Sequence, residues 1–285
     1  MYVVIGLAVV LGSVILGYTL HHGNLGVLMQ GSEFVIIGGA ALGAMLIGNP
    51  PSMLGKIGRK CIALTKGDPF TQSAYSELLL LLFELFNLAR KDGLLALEQH
   101  IERPPESLIF QRYPFFMANH HAVDLLTDTI KVLLSGSVDQ FALSEILELD
   151  LERHHEEAME VSSVLARTGD AMPGFGIVAA VLGVVITMGS IGGAASEVGR
   201  KVAGALVGTF LGVLLAYGVF NPLAAACERF VKTEDEYLQC IKTALLAFAR
   251  GDVPLTAVEF ARRNIEPELR PSFSEMEELI RTVKS

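Results

Sequence analysis

Apolar and polar positions fall in long blocks along this chain, not at the period of a single buried face. Four blocks carry no Asp, Glu, Lys, Arg or His: residues 2–20, 34–48, 172–196 and 202–226. A bilayer core of about 30 Å needs roughly 20 apolar residues in a helix that rises about 1.5 Å per residue, so the first, third and fourth blocks span unaided. The second is shorter. It lies between Glu33 and Asn49-Pro50-Pro51 and spans where neighbours shield its ends. The first block lacks basic residues before its apolar core and has no clear small-x-small cleavage site, so it is expected to be a retained helix and not a signal peptide.

This pattern predicts an all-α membrane protein with four transmembrane helices in two hairpins, a helical cytoplasmic insertion and a helical C-terminal tail. The first hairpin covers residues 1–50 (spans 2–20 and 33–49) and the insertion 51–170. The second hairpin covers 171–226 (spans 172–193 and 202–226) and the tail 227–285. Lys56, Arg59, Lys60 and Lys66 follow the second span, whereas residues 20–32 contain no Lys or Arg, which places the insertion, the tail and both chain ends in the cytoplasm. Arg200 and Lys201 fall on the outer side and are outnumbered.

Within the insertion, residues 75–88 carry leucine and phenylalanine on more than one helical face, and 122–134 repeat apolar residues at helical spacing. Residues 138–167 form an acidic amphipathic stretch that runs towards the third span, with an interruption expected near Gly169. Pro173 begins the third span, where it is either a favourable helix start or a bend or hinge, and Pro222 falls near the end of the fourth, where a proline can bend or hinge the helix. In the tail, Ser272 and Glu275 after Pro271 have the spacing of a capping box, opening a helix through Val283. No alternating strand, internal repeat or low-complexity tract stands out.

Composition supports the membrane assignment: 51% of the 285 residues are hydrophobic and only 19% are charged. The formal net charge of −9 gives no electrostatic support for general nucleic-acid binding. Cys61, Cys227 and Cys240 lack metal-ligand spacing and are an odd number, against a disulfide framework or zinc site.

Candidate chemistry is sparse. Gly174-x-Gly176-x-x-Ala179 imitates a dinucleotide fingerprint but sits inside an uncharged span with no strand before it. Gly55-Lys56 lacks the remainder of a phosphate loop. His154 and His155 are adjacent, so on a helix they point about 100° apart and cannot share a metal, and a solvated face is the expected setting. His120 and Asp124 have ligand spacing but no third partner. No nucleophile stands in a hydrolase arrangement. Gly204, Gly208, Gly212 and Ala216 recur every fourth residue, a smooth stripe for close packing within the chain or against another copy. Thr209 lies beside it and is one of few polar side chains at that depth. No span holds a charged residue or histidine in its core, and Glu33 lies at an edge. A proton-moving protein built this way needs a second chain to supply the titrating carboxylate.

Several motifs together resemble the MotA family of flagellar stator subunits, within the wider MotA/TolQ/ExbB group. They are Pro173-Gly174-Phe175-Gly176-Ile177-Val178-Ala179-Ala180, Val207-Gly208-Thr209-Phe210-Leu211-Gly212, Leu214-Leu215-Ala216-Tyr217-Gly218 and Pro222-Leu223-Ala224. Glu33-Phe34-Val35-Ile36-Ile37-Gly38-Gly39, Tyr113-Pro114 and Arg270-Pro271-Ser272-Phe273 extend the likeness over essentially the whole chain. The resemblance implies a homopentameric ring in lipid, in the bacterial inner membrane, around the helices of a MotB dimer that carries the proton-binding Asp. Torque would then pass to the rotor protein FliG.

The resemblance also implies site residues: Pro173, Ala180, Thr209, Tyr217 and Pro222 for the ion path and its coupling, Arg90 and Glu98 for rotor contact. Sodium-driven relatives place a Thr where Ala180 stands, and sodium needs several oxygen ligands, so the likeness is closer to proton-driven stators. Gly174 replaces a more usual Ala. No cofactor, metal or enzymatic activity is implied. An ExbB- or TolQ-like energiser of envelope transport is the alternative, though those relatives typically have three spans. A carrier with its own substrate site lacks a buried charge pair or half-helix pair.

Overall fold

The computed structural model describes residues 2–136, 138–189, 192 and 194–284, all-helical with no strand among them. In chain order the helices are α1 (Tyr2–Leu20), α2 (Leu25–Leu28), α3 (Gly31–Gly48), α4 (Ser52–Lys66), α5 (Gln72–Asp92), α6 (Glu98–Glu102) and α7 (Pro114–Ala118). They continue with α8 (His120–Leu134), α9 (Gln140–Met188), α10 (Ala195–Leu215), α11 (Asn221–Ala249), α12 (Pro254–Asn264) and α13 (Phe273–Lys284). Four segments are long and apolar enough to cross a membrane: Tyr2–Leu20, Leu25–Gly48, Gln140–Met188 and Ala195–Ala249. Without water, only a helix or closed barrel satisfies the backbone of such segments.

The chain forms two compact units, Met1–Gly67 with Ala158–Phe230, and Asp68–Glu157 with Val231–Ser285. In the first, α1 has no buried residue. Ile37 and Ala41 of α3 pack with Met172 and Ala179 of α9, Leu211 of α10 and Ala216 just after it. Met53 and Leu64 of α4 join Val161, Val164 and Leu165 of α9 and Ala224, Ala226 and Cys227 of α11 in a separate cluster. The amphipathic α4 is thereby held by its apolar side, with Lys60 Nζ 4.3 Å from the centre of the Phe230 ring.

The second unit is built around α5, whose apolar residues point several ways because α5 is surrounded. Tyr75, Leu78, Leu81, Leu82, Leu85 and Phe86 are all buried. Phe86 stacks on Phe248 of α11 at 4.3 Å between ring centres. Thr71 caps α5 by accepting from Ala74 N–H at 3.4 Å, and Asn119 caps α8 by accepting from Ala122 N–H at 3.1 Å. The capping box of α13 forms as its spacing predicts: Ser272 N–H donates to Glu275 at 2.6 Å, and Glu275 N–H to Ser272 Oγ at 3.2 Å.

Arg262, buried, fastens α12 to the start of α13. It donates to Glu259 through Nε at 2.6 Å and Nη2 at 2.7 Å, and to the Pro271 carbonyl at 2.9 Å. The Arg262 hydrogen bond holds the Glu259 carboxyl below its ordinary range. A carboxyl depressed by folding adds stability above its unfolded pKa and loses it as pH falls through the folded value. Glu259→Gln is expected to cost about 2 kcal/mol at neutral pH, the size of a hydrogen bond to a charged group. It should also flatten the acid-side loss. Hydrogen exchange of α12 and α13 against pH checks both.

The structure departs from the expected helix break. α9 runs without interruption through Gly169 and carries Pro173 in its interior, so Pro173 is not in a first turn.

Candidate functional site

Helices α9 and α10 meet in backbone-to-backbone contact. A Cβ placed on Gly176 would lie 2.7 Å from the Gly208 carbonyl oxygen, 3.1 Å from Gly212 Cα and 3.3 Å from Thr209 Cα. One on Gly212 would lie 2.6 Å from the Met172 carbonyl oxygen. The stripe of small residues on α10 is therefore used within the chain, against α9 and α3. Ala180 meets the same crossing: its backbone nitrogen is 3.1 Å from a Cβ built on Gly208. This brings Ala180 and Thr209, both half-buried, to one level of the hairpin.

Pro173 and Pro222 belong to a second level. Pro173 leaves the Gly169 carbonyl without its helical donor, since the missing N–H is the one four residues on. Gly169 is where α9 meets the start of α11, and a Cβ there would lie 2.0 Å from Asn221 Oδ1. Asn221 also donates to Asp170 at 3.2 Å. Before Pro222 the chain makes a π turn, Ala216–Phe220, with Asn221 N–H bonded to the Ala216 carbonyl. A π turn is the accommodation expected where a proline ring would strike the carbonyl four residues back, here Gly218. Tyr217 stands on that turn, 67% exposed.

One residue is more prominent than its sequence position suggested. Glu33, in the first turn of α3, is only 5% exposed, and its Oε2 has no hydrogen-bond partner. That oxygen lies 2.6 Å from a Cβ built on Gly208. The signal available in the sequence was the i, i+4 phase shared by Glu33, Ile37 and Ala41, which puts the acid on the buried face of α3.

The other group sits in the second unit. Arg90 ends α5 and Glu98 opens α6, both exposed, on either side of the Gly93 turn (φ +90°). Between them Leu95 is 73% exposed. Among the described residues no ion pair reaches either charge. Nearby on α5, buried Glu84 pairs with Arg112. Burial raises the Glu84 carboxyl against the opposing effects of Arg112 and the Tyr113 hydroxyl. This accounts for Tyr113-Pro114: the tyrosine closes the pair and the proline opens α7.

Two family models match the chain: Motility protein A N-terminal over residues 4–93, and the MotA/TolQ/ExbB proton channel family over residues 117–240. Motility protein A of Salmonella typhimurium is 39% identical over 285 residues, covering 100% of this chain and 97% of its own length. This chain belongs to the MotA branch of that family. Chemotaxis protein LafT of Vibrio parahaemolyticus is 37% identical over 273 residues, 96% of either chain. Two solved structures share the fold at 20% identity. MotAB of C. jejuni matches with a TM-score of 0.78, covering 95% of this chain and 98% of that one. The flagellar MotAB stator complex from Bacillus subtilis matches with a TM-score of 0.74, covering 96% and 100%.

In this MotA-family chain His154 differs from expectation, whereas His155 lies exposed as expected. His154 is not on a solvated face: its ring packs on His121 at 4.2 Å between centres, with Nε2 3.9 Å from Glu234. His155 Nδ1 lies 2.6 Å from Asp235. Packing against neighbours, followed by repulsion from His154, holds the His121 imidazole below its ordinary pKa. Glu234, Asp124 and Asp150 oppose that shift. Among the described residues no group of three side chains is placed to hold a metal ion.

Proposed function

We propose that this chain is the ring subunit of a proton-driven flagellar stator. Five copies surround the membrane helices of a MotB-type dimer in the bacterial inner membrane, and stepping of the ring delivers torque to FliG. The observation that carries this reading is the wall made by α9 and α10. From Pro173 to Met188 and from Val202 to Leu215 there is no titratable side chain, yet Thr209 and Ala180 meet at its crossing. A wall of this kind conducts when a second chain brings an acid to it, and exposed Ile177, Val181, Val185, Leu206 and Phe210 leave a broad apolar face for lipid, other copies and that partner.

Topology follows the charges. The two hairpins keep the Lys56, Arg59, Lys60 and Lys66 side in the cytoplasm, together with the insertion and the tail. Residues 51–170 present Arg90 and Glu98 to the rotor, and no step is enzymatic. The match of residues 4–93 to the Motility protein A N-terminal model favours a stator over an ExbB- or TolQ-like energiser. Ala180 offers no hydroxyl to a sodium ion, which favours protons.

Reconstitution tests this directly. Liposomes holding the ring with its partner should conduct protons and those holding the ring alone should not; conduction at equal rates in both would sink the proposal. Pro173→Ala and Pro222→Ala restore ordinary helical bonding at Gly169 and Gly218, and are expected to slow coupling severalfold while the ring still assembles. Single-motor torque against load reads that loss.

A further inference from the structure

The buried acid of α3 opens onto space of its own. A cavity of about 320 Å³ is lined by Gln30, Glu33, Thr187, Arg200 and Lys201, together with the Gly204 stretch of α10. Glu33 is 5% exposed, and Oε2 receives no donor. Thr187, wholly buried, spends its hydroxyl proton on the Gly183 carbonyl at 2.8 Å. The Gln30 amide donates to the Val27 carbonyl at 3.1 Å. Neither group satisfies the carboxyl oxygen. A buried carboxyl oxygen left without a donor at this depth is costly, and acids in such positions commonly mark ion or proton pathways.

We infer that Glu33 is a proton-binding site of this chain itself, loaded through that cavity from the outer solution. Access from the outer side follows from the orientation proposed above, whereas the site itself is independent of it. A proton bonds to one oxygen and needs no shell of ligands, whereas a metal cation must find several oxygens beside the positive Arg200 and Lys201. The carboxyl lies on Gly208, immediately before Thr209, and beside Ala179 and Ala180. Its occupancy is therefore felt at the crossing where the partner's acid is proposed to act, and the ring carries an acid upstream of the borrowed one.

Infrared difference spectroscopy of the purified ring, with and without its partner, tests the site. Glu33→Gln keeps the shape and removes the titration, so one carboxyl band that follows pH should vanish from its spectrum. Gly208→Ala, whose methyl would press on Oε2, should shift that band's titration. In liposomes containing the partner, Glu33→Gln should reduce proton flux on the order of tenfold or more at alkaline outer pH, as when a transfer step lacks its acid–base group. A carboxyl spectrum identical in wild type and Glu33→Gln overturns the inference, as does a band that follows sodium at fixed pH. If Glu33→Gln does not assemble, Glu33→Asp, which keeps a carboxyl and draws it back from Gly208, decides by a shift of the same band, and an unshifted band overturns the inference. A titrating Glu33 band in a complex that passes no protons would overturn the proposed function and leave this site standing.

Discussion

Gly176→Val is expected to abolish swimming and proton flux. The new Cβ would lie within 2.7 Å of the Gly208 carbonyl oxygen and 3.1 Å of Gly212 Cα. Both obstacles are backbone, so no side chain can swing away, and α9 must separate from α10. Overpacking of this kind typically costs about 1–3 kcal/mol and sometimes more. Here the cost falls on the crossing that positions Thr209 and Ala180, so function fails before the fold does. Gly174→Ala is the control. A Cβ there meets nothing within 4 Å, so motility should be unchanged. Swarm diameter together with membrane abundance separates the two outcomes, and wild-type swimming by Gly176→Val would refute the packing argument.

The second large effect is expected from charge reversal in the other unit. Arg90→Glu with Glu98→Lys should leave the ring assembled and nearly stop rotation. Arg90 lies in the last turn of α5 and Glu98 in the first of α6, each favourably placed on its helix dipole, so reversal costs the fold less than about 1 kcal/mol per charge. Rotor association should weaken roughly tenfold, about 1.4 kcal/mol, as expected when complementary charges are made repulsive. Opposite reversals on the rotor should restore part of the torque. Normal motility of both single variants would remove these residues from the rotor contact.

Features that depend on local chemistry were legible in the sequence. The capping box at Ser272 and Glu275 formed at the expected spacing, and the helices around residues 75–88 and 122–134 appear with a few more residues at their ends. Features that depend on what lies opposite were not. Pro173 has the same sequence neighbours whether it starts a helix or lies inside one, and the fold places it in the interior of α9. The small residues of α10 said that something packs closely, without saying that the partner is α9. Glu33 sits at the end of an apolar block by position but on its buried face by phase, and His154 was misplaced by the same emphasis on position. The family motifs pointed to Arg90, Glu98, Pro173, Thr209 and Pro222 as candidates, while the lack of ion pairs at Arg90 and Glu98 among the described residues is a property of the fold.

The widened turn ahead of Pro222 holds one residue beyond an ordinary helical turn. The first turns of α11 are thus rotated by about 100° relative to a straight continuation of α10. The surface that α10 turns towards α9 and the surface that α11 turns towards its own neighbours are consequently set independently, although the two helices follow one another without a loop. Removing a single residue between Ala216 and Phe220 would bring them into common phase. Such a deletion would leave composition, charge and length of the apolar block almost untouched, yet every contact on one side of it would face the wrong way.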